Sequence, residues 1–142
     1  MKSLERREIL PSVAQELVAH ALSFANKNGW EICAAVVDPH GYLVAFGRAD
    51  NVAPQISEFA MDKAFTAGTL RSATEVFGKR MAASQTLSLG VSTRKRLLPW
   101  GGGLPIFEKK ICIGGIGVSG AQEFEDIDCA TAAVLAAGLR LE

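Results

Sequence analysis

The sequence predicts a single α+β domain in which helices pack on an antiparallel sheet. The chain has 142 residues, of which 49% are hydrophobic and 21% charged, and this suits one globular domain with its own core. Two segments carry hairpin signals, and the element order α-β-β-α-α-β-β-α lacks the strand-helix-strand alternation of a parallel sheet. We therefore expect residues 1–142 to form one domain with an antiparallel sheet.

The first elements are a helix and a hairpin. Apolar residues recur with helical spacing from Leu10 to Ala25, which predicts an amphipathic helix from Pro11 to a stop at Asn28-Gly29. The segment 31–38, EICAAVVD, is apolar on both alternating faces, as expected of a strand covered on both sides. Asp38-Pro39-His40-Gly41 then fits a type I turn, so residues 42–46 should return antiparallel.

Two helices are expected in the middle of the chain. Pro54 is placed to open a helix that runs to about Leu70. The spacing of Ser72 and Glu75 predicts a capping box for a further helix that reaches roughly Leu89.

The last third of the chain predicts a hairpin and a helix. A glycine-rich loop, Trp100–Gly103, precedes two apolar runs at 104–107 and 111–118 that are separated by a polar turn. The final helix should begin near Glu125 or Asp126, because acidic residues are stabilising in a first helical turn.

Charge and apolar patterning exclude several classes of partner. Fifteen basic and fifteen acidic residues cancel, so we expect no nucleic-acid binding, and we interpret Arg94-Lys95-Arg96 as a solvated loop. No apolar run approaches the roughly 20 residues needed to span a bilayer, and the first residues are charged. The sequence therefore predicts a cytoplasmic protein without a membrane partner.

The cysteines and glycine motifs favour structural roles. Cys33, Cys112 and Cys129 are odd in number and lie in apolar segments, so we expect buried thiols and no metal site. The segment 115–120, GIGVSG, matches GxGxxG, but too little chain follows for a dinucleotide-binding unit. We expect its glycines to ease a strand into a tight turn, whose amides could also form an anion-binding nest.

Lys63 is the most informative single residue. It lies in the middle of an apolar helical stripe, formed by Ile56, Phe59, Ala60, Ala64 and Ala67. An unpaired buried ammonium is costly, so Lys63 should form an ion pair or point into a polar cavity. Two interpretations stay open: a structural pair with Asp38 or Asp50, and a ligand-binding or catalytic role.

The two histidines are the candidates for haem ligation. His20 lies at the edge of the apolar stripe of the first helix, and we expect a structural or interface role or, if haem binds, a single axial ligand. His40 lies in a tight turn and should be exposed.

Three segments together resemble the GlcG/HbpS-type family, which includes the C-terminal domain of PduO-type proteins. They are VVDPHGYLVAFGRAD at 36–50, ISEFAMDKAFTAGTL at 56–70, and GGGLPIFEKKICIGGIGVSGAQEFED at 101–126. The resemblance implies a two-layer, profilin-like sandwich that assembles into a homo-oligomer, and ligands of the haem or corrinoid kind. It matches, among others, Asp38, Arg48, Asp50, Lys63, Thr66, Gly102, Gly103, Ser119, Gly120 and Asp126.

Three functions follow as hypotheses. The first is an oligomeric domain that binds an anionic organic molecule or a tetrapyrrole. Its pocket would be formed by Lys63, Arg48 and the glycine-rich loops, with Asp50, Thr66, Ser119 and Gly120 nearby and Trp100 covering the apolar body of the ligand. The second is a cofactor-independent enzyme, with Lys63 as base or nucleophile and Asp38 as a second catalytic group, acting on a small conjugated acid. The third is an assembly module without catalysis.

Overall fold

The computed structural model describes all 142 residues and contains five helices and four strands. The helices are α1 (Pro11–Lys27), α2 (Pro54–Leu70), α3 (Thr74–Ala82), α4 (Gln85–Val91) and α5 (Glu123–Ala136), and the strands are β1 (Cys33–Val37), β2 (Leu43–Arg48), β3 (Gly103–Glu108) and β4 (Ile111–Ser119). None of the helices is long and apolar enough to cross a membrane.

The four strands form one antiparallel sheet in the order β2-β1-β4-β3. Both predicted hairpins are confirmed, β1 with β2 and β3 with β4. In the first turn, the Asp38 carboxylate accepts hydrogen bonds from the backbone N–H groups of His40 and Tyr42, at 2.8 and 3.1 Å. Gly41 completes this turn with a φ of 90°, a conformation that costs glycine little.

The central strand β1 is covered on both sides, as its sequence predicts. Ala34 and Val36 belong to the core formed with α1 and α5, whereas Ala35 and Val37 pack against Ala60 and Ala64 of α2. The α+β class and the antiparallel sheet are confirmed. Helices α1 and α5 lie on one face of the sheet and α2 on the other, since neither face of β1 is polar.

Helix α2 lies directly on the backbone of β4. A Cβ atom added to Gly117 would lie 2.0 Å from the Ala60 carbonyl oxygen, and one added to Gly115 would lie 2.5 Å from the backbone nitrogen of Gly68. The GxG spacing of this strand therefore permits close helix packing, since residues two apart share one face. The predicted role of these glycines in a tight turn is therefore wrong for Gly115 and Gly117, which lie within β4, and holds for Gly120, which follows the strand.

The region after α2 departs from the predicted single helix. Helix α3 ends at Ala82, and a separate helix α4 begins after Ser84, whose hydroxyl accepts a hydrogen bond from the Leu87 N–H at 3.3 Å. The capping box predicted from Ser72 is wrong, because the N-cap is Ala73 and carries no side-chain bond. A reciprocal bond of this kind occurs at α5, where the Gln122 N–H donates to Glu125 Oε1 at 3.0 Å.

Candidate ligand-binding site

Lys63 forms a buried ion pair with Asp126. The Lys63 Nζ donates to Asp126 Oδ2 at 3.2 Å and to the Val118 carbonyl oxygen at 2.9 Å. The lysine side chain is 0% exposed and that of Asp126 is 4% exposed. The other carboxylate oxygen of Asp126 accepts from the Ala121 N–H at 3.0 Å. The pair thus ties α2 to the end of β4 and to the turn that follows it.

Burial opposes the charged form of both partners. It lowers the pKa of Lys63, and the nearby Asp126 and Glu123 carboxylates act in the opposite direction. Burial likewise raises the pKa of Asp126, against the attraction of Lys63 and the bond from Ala121. Each charge is therefore supported by its partner in a place that water does not reach.

The partner of Lys63 is not one of those expected from the sequence. Asp38 follows β1 at the end remote from Lys63 and uses Oδ1 in its own turn. Asp50 is exposed after β2. Asp126 is placed beside Lys63 because α5 begins immediately after the β4 turn, and local spacing in the sequence could not show that two residues 63 positions apart would meet there.

Residues 92–102, between α4 and β3, form a loop that we call the Trp100 loop, and buried hydroxyls hold its middle and the residue that follows it. The Thr66 hydroxyl accepts from the Leu98 N–H at 3.0 Å, and its one proton faces the carbonyl oxygens of Arg96 and Asp62, each 2.8 Å away. Beyond the loop, the Thr74 hydroxyl accepts from the Gly103 N–H at 2.9 Å. Thr66 therefore anchors the loop to α2.

The C-terminal end of the Trp100 loop is held by a hydrogen bond to a carboxylate and by close packing. The Gly101 N–H donates to Glu123 Oε1 at 2.8 Å. Gly102 adopts a φ of 124°, and a Cβ atom there would lie 2.7 Å from Lys63 Nζ and 2.4 Å from the Val118 carbonyl oxygen. A side chain at position 102 would consequently displace the buried ion pair.

Trp100 lies at the protein surface, in the loop that these contacts hold in place. Its ring contacts that of Phe59 edge to face, with 5.6 Å between the ring centroids, and the residue is 37% exposed. Nearby, the Arg96 guanidinium lies 4.0 Å from the centre of the Phe65 ring and its Nε is 3.2 Å from Asp62 Oδ1. The loop is thus a defined surface feature that presents an aromatic ring.

A cavity of about 510 Å³ opens between the Trp100 loop and helices α3 and α4. Most of its wall is apolar and one cation, Arg94, reaches it; the wall includes Met81, Val91, Leu97, Leu98, Pro99 and Trp100. Ligand sites commonly have this volume and this mixture of apolar wall and few polar groups.

Arg48 lies elsewhere on the sheet. It pairs in register with Cys33, which in turn pairs with Ser119, so these three residues form one row across β2, β1 and β4. Arg48 and Asp50 border a separate cavity of about 260 Å³, with Trp30 and Glu31. The structure therefore does not place Arg48 and Trp100 in the common pocket that is predicted from the sequence.

His20 lines neither of these two cavities. It is exposed on α1, which packs on the face of the sheet opposite α2. Gly120, also among the predicted residues, is exposed in the turn after β4, where its φ of 129° lets the chain pass the Glu31 carbonyl. The candidate residues are thus divided between at least three places.

The family described as "Haem degrading protein HbpS-like" matches residues 10–135. The chain belongs to this HbpS-like family. The GlcG protein of Escherichia coli strain K12 is 31% identical to this HbpS-like chain over 107 residues, which are 75% of the chain and 78% of GlcG. The resemblance found in the sequence is therefore confirmed.

Solved structures share the fold of this HbpS-like domain. The Klebsiella pneumoniae protein ORFY superposes with a TM-score of 0.90 at 26% identity, covering 97% of this chain and 96% of ORFY. A structure of a PduOC–haem complex superposes with a TM-score of 0.87 at 24% identity, covering 95% and 99% of the two chains. At that identity, the second likeness shows the fold alone.

Two residues that line the cavity beside Trp100 were not predicted from the sequence. Arg94 was interpreted as part of a solvated cluster, and it is exposed, but it also lines the cavity beside Trp100. Met81 was assigned no role and forms part of the wall, with 9% of its surface exposed. The sequence signal available for Arg94 was its position six residues before a tryptophan, Trp100.

Proposed function

We propose that this HbpS-like domain binds an amphipathic anionic molecule, with a tetrapyrrole such as haem as the first candidate, in the cavity beside Trp100. The observation that carries the proposal is the cavity of about 510 Å³ with an apolar wall and a single guanidinium, that of Arg94. The family description and the PduOC–haem complex support the choice of haem for the first test.

The residues around the cavity fit the chemistry of haem. Trp100 and the leucines at 97 and 98 offer apolar surface to a flat ring, and Arg94 offers donors to a propionate carboxylate. Met81 contributes a thioether, which serves as an axial haem ligand in some proteins. His20 lies on the other side of the sheet and would hold haem only at a different site.

Lys63 has a supporting role in this proposal. With its side chain fully buried and bonded to Asp126 and Val118, it holds the base of the Trp100 loop and leaves ligand recognition to Arg94. Thr66, Gly102 and Gly103 act in the same way, through hydrogen bonds and close packing. Lys63, Thr66, Gly102 and Gly103 thus support the loop, whereas Trp100 and Arg94 contact the ligand.

The catalytic alternative is not favoured by this geometry. A base or imine-forming amine at position 63 must reach its substrate, and Lys63 has no exposed surface. Asp38, the second catalytic candidate, is bonded within a turn near the far end of β1. Catalysis through these two residues would require them to meet, and the fold keeps them apart.

We also propose that the protein self-associates through the edge strand β2. An edge strand exposes unpaired backbone groups. Tyr42, Leu43 and Phe46 on or beside β2 are 73%, 50% and 39% exposed. Helix α2 covers residues of β1 but leaves this apolar strip open, and a second copy of the chain would bury it.

Haem titration followed by tryptophan fluorescence tests the proposed site. The chain contains two tryptophans, Trp30 on the α1 side and Trp100 at the cavity. In a Trp30→Phe variant, haem should quench the remaining emission strongly, because energy transfer falls steeply with distance, and a Soret band should grow with the same stoichiometry. In Trp100→Phe, the remaining emission should be quenched much less.

Two neighbouring cations provide the matched control. Arg94→Gln should weaken haem binding at least tenfold, whereas Lys95→Gln should change it less than twofold, because only Arg94 lines the cavity. If both variants bind as the wild type does while His20→Ala loses the Soret band, the site lies on α1 and the proposed location is wrong. If no variant and no wild-type sample binds haem, tetrapyrrole binding itself is refuted.

A further inference from the structure

We propose a second ligand site, for a small polyanion, in the cationic cleft between the N-terminal arm (residues 1–10), the C-terminal end of α2 and the β3–β4 turn. This cleft has a volume of about 720 Å³ and shares no lining residue with the cavity beside Trp100. Its wall carries four cations, Arg6, Arg7, Arg71 and Lys110, and one acid, Glu5.

The cleft is surprising in a chain without net charge. The whole protein has equal numbers of basic and acidic residues, yet the wall of this cleft carries four positive charges and one negative charge. Only Arg7 among the four cations takes part in an ion pair, with Glu108 at 3.2 Å, and both of those side chains are more than half exposed. Arg6, Arg71 and Lys110 remain available to an external anion.

The arm that forms one wall is attached to the sheet. Ile9 is 4% exposed in the main core, and its N–H donates to the Ile113 carbonyl oxygen at 2.9 Å. This anchor keeps the arginines at positions 6 and 7 beside β4 and the turn before it. The cations therefore converge from separate parts of the chain onto one concave surface, which is an arrangement that a merely solvated charge run does not need.

Arg71 occupies its place at a conformational cost. It is the C-cap of α2 in the left-handed region, with φ 56° and ψ 39°, where glycine is the usual residue. A non-glycine residue in this region is less stable than glycine by about 1 kcal/mol. Of the three non-glycine residues with positive φ, only Arg71 lines the cleft, so its outlier conformation licenses a hypothesis of function for the side chain there.

The chemistry of the wall selects the ligand class. Arginines bind phosphate and carboxylate oxygens with two parallel hydrogen bonds, and a lysine adds a compact positive charge. Phe107 and Ile111 supply apolar surface in the same cleft. A small molecule with several anionic oxygens, whether phosphates or carboxylates, satisfies these groups, whereas a neutral molecule would leave the charges unpaired.

Titration calorimetry at low ionic strength, with pyrophosphate and citrate as separate probes, tests this proposal on the full chain. The decisive pair of variants is Arg71→Gly and Lys109→Gly. The two variants match, since each removes one positive charge at a non-glycine residue of positive φ, 56° at Arg71 and 57° at Lys109. They differ in that Arg71 lines the cleft and Lys109 does not. Glycine suits both positions, so neither variant should lose stability.

We expect the wild type to bind at least one probe, Arg71→Gly to bind it at least tenfold more weakly, and Lys109→Gly to stay within twofold. Preference for pyrophosphate would identify an organic phosphate as the ligand class, and preference for citrate a polycarboxylate. Absence of binding to both probes, or an equal loss in the two variants, would overturn the proposal. Haem titration of Arg71→Gly should match the wild type, which separates this site from the one beside Trp100.

Discussion

Lys63 Nζ lies 3.2 Å from Asp126 Oδ2, and water reaches almost none of either side chain. The two residues come from helices on opposite faces of the sheet, α2 and the first turn of α5. The two side chains meet near the end of β4, where Lys63 also donates to the Val118 carbonyl oxygen. Gly102, at the base of the Trp100 loop, packs closely against Lys63. One ion pair thus connects both helical layers with the loop that borders the candidate cavity.

Removing the lysine charge should destabilise the protein. Lys63→Met keeps the length of the side chain but leaves the Asp126 carboxylate buried without its partner, and we expect a loss of about 3–5 kcal/mol in the free energy of unfolding, measured with urea. The double variant Lys63→Met, Asp126→Leu should recover much of this loss, because no buried charge remains.

An exposed ion pair serves as the control for this prediction. Lys79 and Glu75 lie 3.2 Å apart on α3 with side chains 75% and 44% exposed, so Lys79→Met should change stability by less than about 0.5 kcal/mol. A Lys63→Met protein of unchanged stability that loses ligand affinity would assign Lys63 to ligand recognition instead.

The buried thiol of Cys129 should make stability fall at alkaline pH. Burial, followed by the charges of Asp126, Asp128 and Glu125, raises its pKa to about 12 from the model-compound value of 9.0. Between these two values the folded protein binds more protons than the unfolded chain, so the free energy of unfolding falls as pH rises, by at most about 1.4 kcal/mol per pH unit.

Urea unfolding between pH 8 and 11, under reducing conditions, measures this effect as the difference between the wild type and Cys129→Ala. The variant should show the shallower decline with pH. The matched variant Cys112→Ala retains the buried thiol and should follow the wild type. Parallel curves for the wild type and Cys129→Ala would show that Cys129 does not contribute.

Gly117 should be the least replaceable glycine of β4. The added methyl group of Gly117→Ala would meet the Ala60 carbonyl oxygen and the Ala64 nitrogen, at 2.0 and 2.4 Å, and we expect a loss of about 3 kcal/mol or more. Gly90→Ala is the control, since nothing lies within 4 Å of its Cβ position in α4 and the better helix former should stabilise by up to about 1 kcal/mol. A stable Gly117→Ala protein would contradict the close contact of α2 with β4.

Self-association should depend on the edge strand. Sedimentation at tens of micromolar should show at least a dimer, and Leu43→Lys should shift the protein toward the monomer because it places a charge in the apolar strip of β2. Leu89→Lys, at a leucine that is 63% exposed on α4, should leave the assembly intact. A monomeric wild type would refute the proposal, and an unaffected Leu43→Lys would move the interface elsewhere.

Much of the fold could be predicted because its signals are local. Pro11 and Pro54 mark the starts of α1 and α2, and the Asp38–Gly41 turn determines the pairing of β1 with β2. The break between α3 and α4 was missed because Ser84, the true cap, lies in a polar stretch without a strong breaker. The apolar residues on both faces of β1 correctly indicated that this strand would be covered on both sides.

Less of the candidate site could be predicted, because its contacts join distant parts of the chain. The apolar stripe around Lys63 correctly indicated that the lysine needs a partner, but the choice of Asp126 depends on where α5 docks. Arg48 and Trp100 are grouped by residue type in the sequence, but in the folded chain they border different cavities. Only the folded chain shows which charges share a cavity.

The close approach of α2 to β4 has a consequence for how this architecture can change. Where backbone meets backbone, as at Gly115 and Gly117, there are no rotamers to adjust and no side-chain volume to exchange. A side chain added at this contact would force the backbones of α2 and β4 apart, so single substitutions there cannot adjust ligand preference gradually. A new ligand preference must instead arise in the Trp100 loop, helix α4 and the N-terminal arm, where a substitution alters the chemistry of a surface without separating two main chains.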